Sequence, residues 1–154
     1  MLRLRYERTY DAEYIYDTVT NPKIWRMSAH DFSPPKELYF VPLQESIVWL
    51  KAEDYGLFMF VKQDDDTYQS HVALNAFSLG IAADIAAGAV IWMFGHTKCK
   101  RLIAKIPEFN HLAHGLAKEV GFELCGTDRE SFIKNGVKYD MMIYILNKGD
   151  ICLF

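Results

Sequence analysis

His71 is the side chain in this sequence best suited to proton transfer. It lies in residues 68–74, a run that predicts a strand. With a side-chain period of two, Gln69, His71 and Ala73 share one face. An unperturbed imidazole pKa of about 6.5 suits a base near neutrality; the alternative is a histidine satisfied in the core or at a sheet edge. The other polar candidates are less focused. Glu53 and Asp54 end a predicted strand, His30 and Asp31 sit in an early loop, and Asp128, Arg129 and Glu130 lie late in the chain. His111 and His114 are three apart on a predicted helix, a spacing that could hold a metal, but no third ligand accompanies them. Cys99, Cys125 and Cys152 are odd in number and lack CxxC spacing, which points to reduced thiols and a cytoplasmic protein. No GxSxG, Walker loop or Cys–His nucleophile pattern occurs.

These residues need a scaffold, and 154 residues suffice for one domain over 1–154 with a sizeable core. Half the chain is hydrophobic and 14% is aromatic, so it should fold rather than stay disordered. The formal net charge of −3 gives no support to a nucleic-acid surface. Lys98, Lys100, Arg101 and Lys105 do form a local basic patch, which a solvated strand edge would explain. The start, MLRLRYERTY, is too charged for a secretory signal, and the alanine-rich run over 76–94, which carries Asp84, is too broken for a membrane span.

Along the chain, residues 2–7 alternate as a first strand, and Asp11 can cap a helix carrying Ala12, Ile15, Tyr16 and Val19. Asn21–Pro22 interrupts it, and residues 25–35 read as a short helix and then a loop. Strand candidates follow at 38–43, 47–53, 57–62 and 68–74, with a polar turn at 64–67. A helix over 81–94 precedes a strand over 102–106, whose apolar run is interrupted by Lys105 and stopped by Pro107. Asn110 starts a helix with Leu112, Leu116, Ala117 and Val120 on one side, and Gly121 ends it. Two strands around a tight Asn135–Gly136 turn close the chain.

Asn110, the helix ending in Gly121–Phe122, and the stretch from Gly126 through Ile143 resemble the GNAT acyltransferase superfamily. The string RESFIKNGVKYDMMIY resembles the closing hairpin of the branch that acetylates protein N-termini and related amines, and the overall pattern is also similar to short GNAT-like proteins of tailed phages. The resemblance implies an α+β fold whose mixed, mostly antiparallel sheet splays at a cofactor cleft. It also implies acetyl-CoA as acyl donor and an amine-bearing acceptor, protein or small molecule, with a homodimer open. The family's Gln/Arg-x-x-Gly-x-Gly/Ala loop corresponds to residues 77–82. There Gly80 and Ala82 match the small positions, Phe77 replaces the polar residue and Leu79 stands where a basic residue is common.

By the same resemblance, the main chain of Val72, Ala73 and Leu74 would face the pantetheine arm. Gly80, Ile81 and Ala82 would take the pyrophosphate at a helix N-terminus, and Asn110 would contact CoA or simply cap its helix. His71 would be the base. Many relatives carry a Tyr as proton donor five residues before the Phe of Gly-Phe, where this chain has Ala117; Tyr139 is the substitute by chemistry. The function implied is acetyl transfer to an amine by direct attack. A scaffold of this fold that has lost its chemistry and serves in binding or assembly is the alternative.

Overall fold

The computed structural model describes residues 3–75 and 80–151. Their strands form one seven-stranded sheet in the order β1-β2-β3-β4-β5-β7-β6, comprising β1 (Tyr6–Arg8), β2 (Ile47–Ala52), β3 (Gly56–Lys62), β4 (Thr67–Leu74), β5 (Arg101–Pro107), β6 (Glu123–Lys134) and β7 (Val137–Asn147). All neighbours are antiparallel except β4 and β5. That parallel pair needs a crossover, which α3 (Ala82–His96) supplies. The helices α1 (Ala12–Val19), α2 (Pro22–Ser28) and α4 (His111–Val120) complete the architecture. This is the α+β arrangement expected.

Local chemistry explains the element ends. Asp11 caps α1 by accepting from Tyr14 N at 3.1 Å. Asn21–Pro22 does more than interrupt: Asn21 caps α2 and Pro22 occupies its first turn, where a missing N–H costs nothing. Gly121 closes α4 at φ 113°, and Asn135–Gly136 turns β6 into β7 with φ 52° and 76°. Gly56 is required for a different reason. It has φ 138°, and a Cβ there would lie 2.3 Å from the Ala73 carbonyl oxygen.

The sheet divides the core in two. On one face Phe58, Phe60, Leu102, Ala104, Tyr144 and Leu146 pack under α3 and α4. On the other, Trp49 and Leu57 pack with Ile15 of α1 and with Val41. α3 is apolar on several sides because it is sandwiched between the sheet and α4, and Tyr6 reaches onto it to donate to the Ile85 carbonyl at 2.7 Å. No described helix is long and apolar enough to cross a membrane.

Two expectations need correction. Residues 38–43 are not a strand: Lys36–Leu38 is a 3-10 turn, and Leu38 and Phe40 are exposed in the loop before β2. Leu112 is 75% exposed; the packed side of α4 is Ala113, Leu116, Ala117 and Val120. Leu116, Ala117 and Val120 lie on the expected side, and Ala113 rather than Leu112 completes their i, i+3, i+4, i+7 set.

Candidate active site

The parallel ladder between β4 and β5 is short. It pairs Thr67 with Arg101, Tyr68 with Leu102 and Gln69 with Ile103, and then stops. Ser70 Oγ still reaches the Ile103 carbonyl at 3.2 Å. Beyond it the two strands go separate ways: β4 stays on β3 as far as Leu74, and β5 stays on β7 as far as Pro107. The gap between them is a cleft inside the sheet.

Main-chain direction along β4 follows from its register with β3. Gln63 N donates to the Thr67 carbonyl and Asn75 N donates to the Tyr55 carbonyl, so the odd-numbered residues turn their polar groups to β3. The even-numbered residues then turn theirs to the cleft. Val72 and Leu74 turn backbone groups there. Ala73 does not, because its N–H and C=O face β3.

The N-terminus of α3 adjoins the end of β4 in sequence. Ile81, at the N-cap position, has no side-chain acceptor to offer the first N–H groups of the helix. Gly80 is exposed, and a Cβ on it would meet nothing within 4 Å. Phe77 and Leu79 lie outside the described residues. The open cleft, its inward main chain and the helix N-terminus that follows β4 fit an elongated anionic ligand such as CoA.

Side chains on the second face of the sheet, the one carrying α1, form the floor of a groove. In register, Gln69 lies beside Ile103, which pairs with Ile145. One step on, His71 pairs with Met59 on β3, while Lys105 pairs with Ile143 on the far side of the cleft. His71 keeps solvent contact, yet the protein around it desolvates the ring and lowers its pKa below the ordinary 6.5. Gln69, His71 and Ala73 do share this face.

One wall of the groove is built by the loop after α2 and the tip of the β6–β7 hairpin. Asp31 accepts from Asn135 N at 2.7 Å and from Gly136 N at 2.9 Å, one bond to each carboxylate oxygen. Asp31 N donates to the Ile133 carbonyl. His30 stacks edge-on against Phe132, and Phe132 and Tyr139 both pack on Phe109. Glu108 Oε1 accepts from Asp140 N, and Asp140 Oδ1 accepts from Glu130 N. His30 and Asp31 therefore brace the groove wall.

Tyr139 is not beside His71. The row of His71 and Lys105 continues to Ile143, and Tyr139 is four residues further along β7, about 13 Å at strand spacing. Its ring closes the aromatic cluster with Phe109. Asn110 caps α4, accepting from Ala113 N at 3.2 Å. Glu53 accepts from Arg5 N, and Asp128 and Arg129 are exposed on the edge strand β6.

His114 is not free for a metal. Its Nε2 is 2.9 Å from the Pro107 carbonyl, which only accepts, so that nitrogen carries the proton. Nδ1, 2.8 Å from the Tyr144 hydroxyl, accepts in turn. Cys99 is buried, and desolvation pushes its thiol up to about 11, which removes it as a nucleophile. A cavity of about 360 Å³ involving Asp66, Cys99, Lys100 and Lys148 lies at the opposite end of β4 and β5 from the cleft and holds none of the residues implied for catalysis or cofactor binding.

Sequence reasoning missed Asp31 as a brace, because its partners lie more than 100 residues away. It also read Lys105 as part of a strand edge, whereas β5 is an interior strand.

The overall arrangement of sheet and helices matches solved structures. Spermidine N-acetyltransferase from Vibrio cholerae, in complex with CoA and spermine, superposes with a TM-score of 0.77 at 14% identity, covering 96% of each chain. The chain has the GNAT acetyltransferase fold. A GNAT-family acetyltransferase from Bacillus anthracis matches with a TM-score of 0.58 at 17% identity over 68% of this chain and 67% of its own. Mycobacterium smegmatis RimJ, in complex with CoA-disulfide, matches over 70% of this chain and 55% of its own, at 14% identity and a TM-score of 0.60. No protein-family model and no curated protein sequence matches the chain.

Proposed function

We propose that the protein is a CoA-dependent N-acyltransferase that moves an acetyl group from acetyl-CoA to an amine by direct attack. The observation that carries this reading is the splay of β4 from β5, with the main chain of Val72 and Leu74 turned into it and α3 the next helix in the chain. A solved GNAT structure of the same topology holds CoA.

Acetyl-CoA supplies an activated acyl group as a thioester. Val72 and Leu74 would align its pantetheine amides by strand-like hydrogen bonds, and Gly80, Ile81 and Ala82 would receive its pyrophosphate. Asn110, with its amide oxygen engaged in the cap, keeps an amide NH2 for the cofactor. As the amine nitrogen bonds to the acyl carbon and the C–S bond breaks, Leu74 N–H would donate to the carbonyl oxygen that gains charge. His71, directly or through a water, would take the proton from the attacking amine. Ala117 is buried where many relatives carry a proton-donating Tyr, so the departing thiolate takes its proton from water.

That buried Ala117 also favours the second reading, a scaffold of this fold without chemistry. Thermal unfolding with and without acetyl-CoA separates them. Cofactor at 100 times its Kd adds about 2.7 kcal/mol, which at this size raises Tm by several degrees. No shift at millimolar acetyl-CoA would remove the transferase reading.

A further inference from the structure

Lys105 has no structural explanation. It sits in β5, between β4 and β7 in the interior of the sheet. Its neighbours Leu102, Ala104 and Ile106 fill the core under α3 and α4. An interior strand covered on both faces is apolar throughout, so an exposed lysine at its centre marks a face that nothing covers. The core beneath α1 reaches β2, β3 and Ala73 of β4 but includes no residue of β5 or β7. Lys105 thus stands on the open floor of the groove, in the same row as His71, across the cleft from it.

Its charge is also unmatched. The ion pairs among the described residues are Arg8–Glu45 and Lys62–Asp65, and neither involves it. The carboxylates that brace the groove wall are occupied by main-chain N–H groups. Asp31 holds Asn135 and Gly136, Glu108 holds Asp140 N, and Asp140 holds Glu130 N. A lysine kept at the point where an acyl acceptor must approach, and given no internal counter-ion, is a recognition charge.

Resting on the acetyltransferase reading, we infer that Lys105 selects acceptors that carry a carboxylate a few bonds from the reacting amine: amino acids and their close analogues. The ammonium pairs with the carboxylate and leaves the amine turned toward His71. A polyamine would bring further positive charge beside Lys105, and like charges at close range disfavour it. The spermine-bound relative shares this fold, so the two differ in acceptor charge on one scaffold.

The test is acetylation of matched amines that differ by one carboxylate, L-lysine against cadaverine and β-alanine against ethylamine, with spermidine alongside. Wild-type protein should favour the carboxylate-bearing member of each pair at least tenfold in kcat/KM. Lys105→Met should abolish the preference and Lys105→Glu should reverse it, with the acetyl-CoA thermal shift unchanged in both variants. Preference for cadaverine or spermidine, a ratio insensitive to Lys105→Glu, or turnover of no amine despite a retained acetyl-CoA shift overturns the assignment and leaves the cofactor reading standing. Loss of the acetyl-CoA shift in the wild-type protein removes the acetyltransferase reading itself, and the assignment with it.

Discussion

At the scale of single residues, His71 is where environment and chemistry meet. Desolvation lowers its pKa below 6.5, so the neutral, proton-accepting form persists to lower pH than in a free imidazole. The acid limb of the kcat/KM profile should therefore have its midpoint below 6.5 and disappear in His71→Ala. That variant should lose turnover by roughly 100-fold or more while its acetyl-CoA thermal shift persists. A parallel loss of cofactor binding would mean that His71 supports the cleft rather than the proton transfer. Gly56 acts on the same cleft through the backbone. A methyl group there meets the Ala73 carbonyl oxygen at 2.3 Å, and φ 138° is strained for any side chain. Gly56→Ala should cost about 2–4 kcal/mol in urea unfolding, since rigid main chain of the neighbouring strand must move.

At the scale of elements, the groove depends on two segments that are distant in sequence. Asp31 holds the Asn135–Gly136 turn with both carboxylate oxygens, and the Lys134 ammonium donates to the Arg26 carbonyl. Asp31→Ala should release the loop from the hairpin tip. Hydrogen exchange at the Asn135 and Gly136 amides should accelerate, and acceptor KM should rise with the acetyl-CoA shift unaffected. Unchanged exchange at those amides would show that the aromatic contacts of His30, Phe132 and Phe109 hold the wall alone. The hairpin turn itself was readable, because Asn-Gly has few alternatives to positive φ. The capture of that turn by Asp31 was not, since nothing local distinguishes Asp31 from any loop carboxylate.

At the scale of the whole molecule, the first strand is fastened to the central helix. The Tyr6 hydroxyl donates to the Ile85 carbonyl and packs where Gly88 has no side chain. Burial first, then the charges of Glu53 and Asp84, push its pKa from 10.0 to about 12. The folded state thus holds this proton more tightly than the unfolded chain. The stabilisation is complete below pH 10 and is lost as pH rises from about 10 to about 12. Replacing Tyr6 by Phe should flatten that part of the stability profile measured by chemical denaturation, and an unchanged slope would assign alkaline unfolding to other groups.

Taken alone, the sequence determined the elements whose signals are local. The caps at Asp11 and Asn110, the glycine end of α4, the Asn135–Gly136 hairpin and the strands β2 to β5 follow from periodicity and turn chemistry acting over a few residues. Local pattern failed at residues 38–43, where a continuous apolar and aromatic run suggests a strand but no neighbouring strand pairs with it. The site followed the same division. His71 was a candidate because the resemblance implies a base on that strand and the two-residue period gives its face. Which of Val72, Ala73 and Leu74 turn into the cleft required the register with β3, and the place of Tyr139 required the register of β7 with β5. Lys105 shows the difference most plainly. In sequence it is one charge interrupting an apolar run, which a strand edge would explain equally well. Only the strand order puts it inside the sheet, on an open face and across the cleft from His71, because which strands become neighbours is decided by long-range packing rather than by any short stretch of chain.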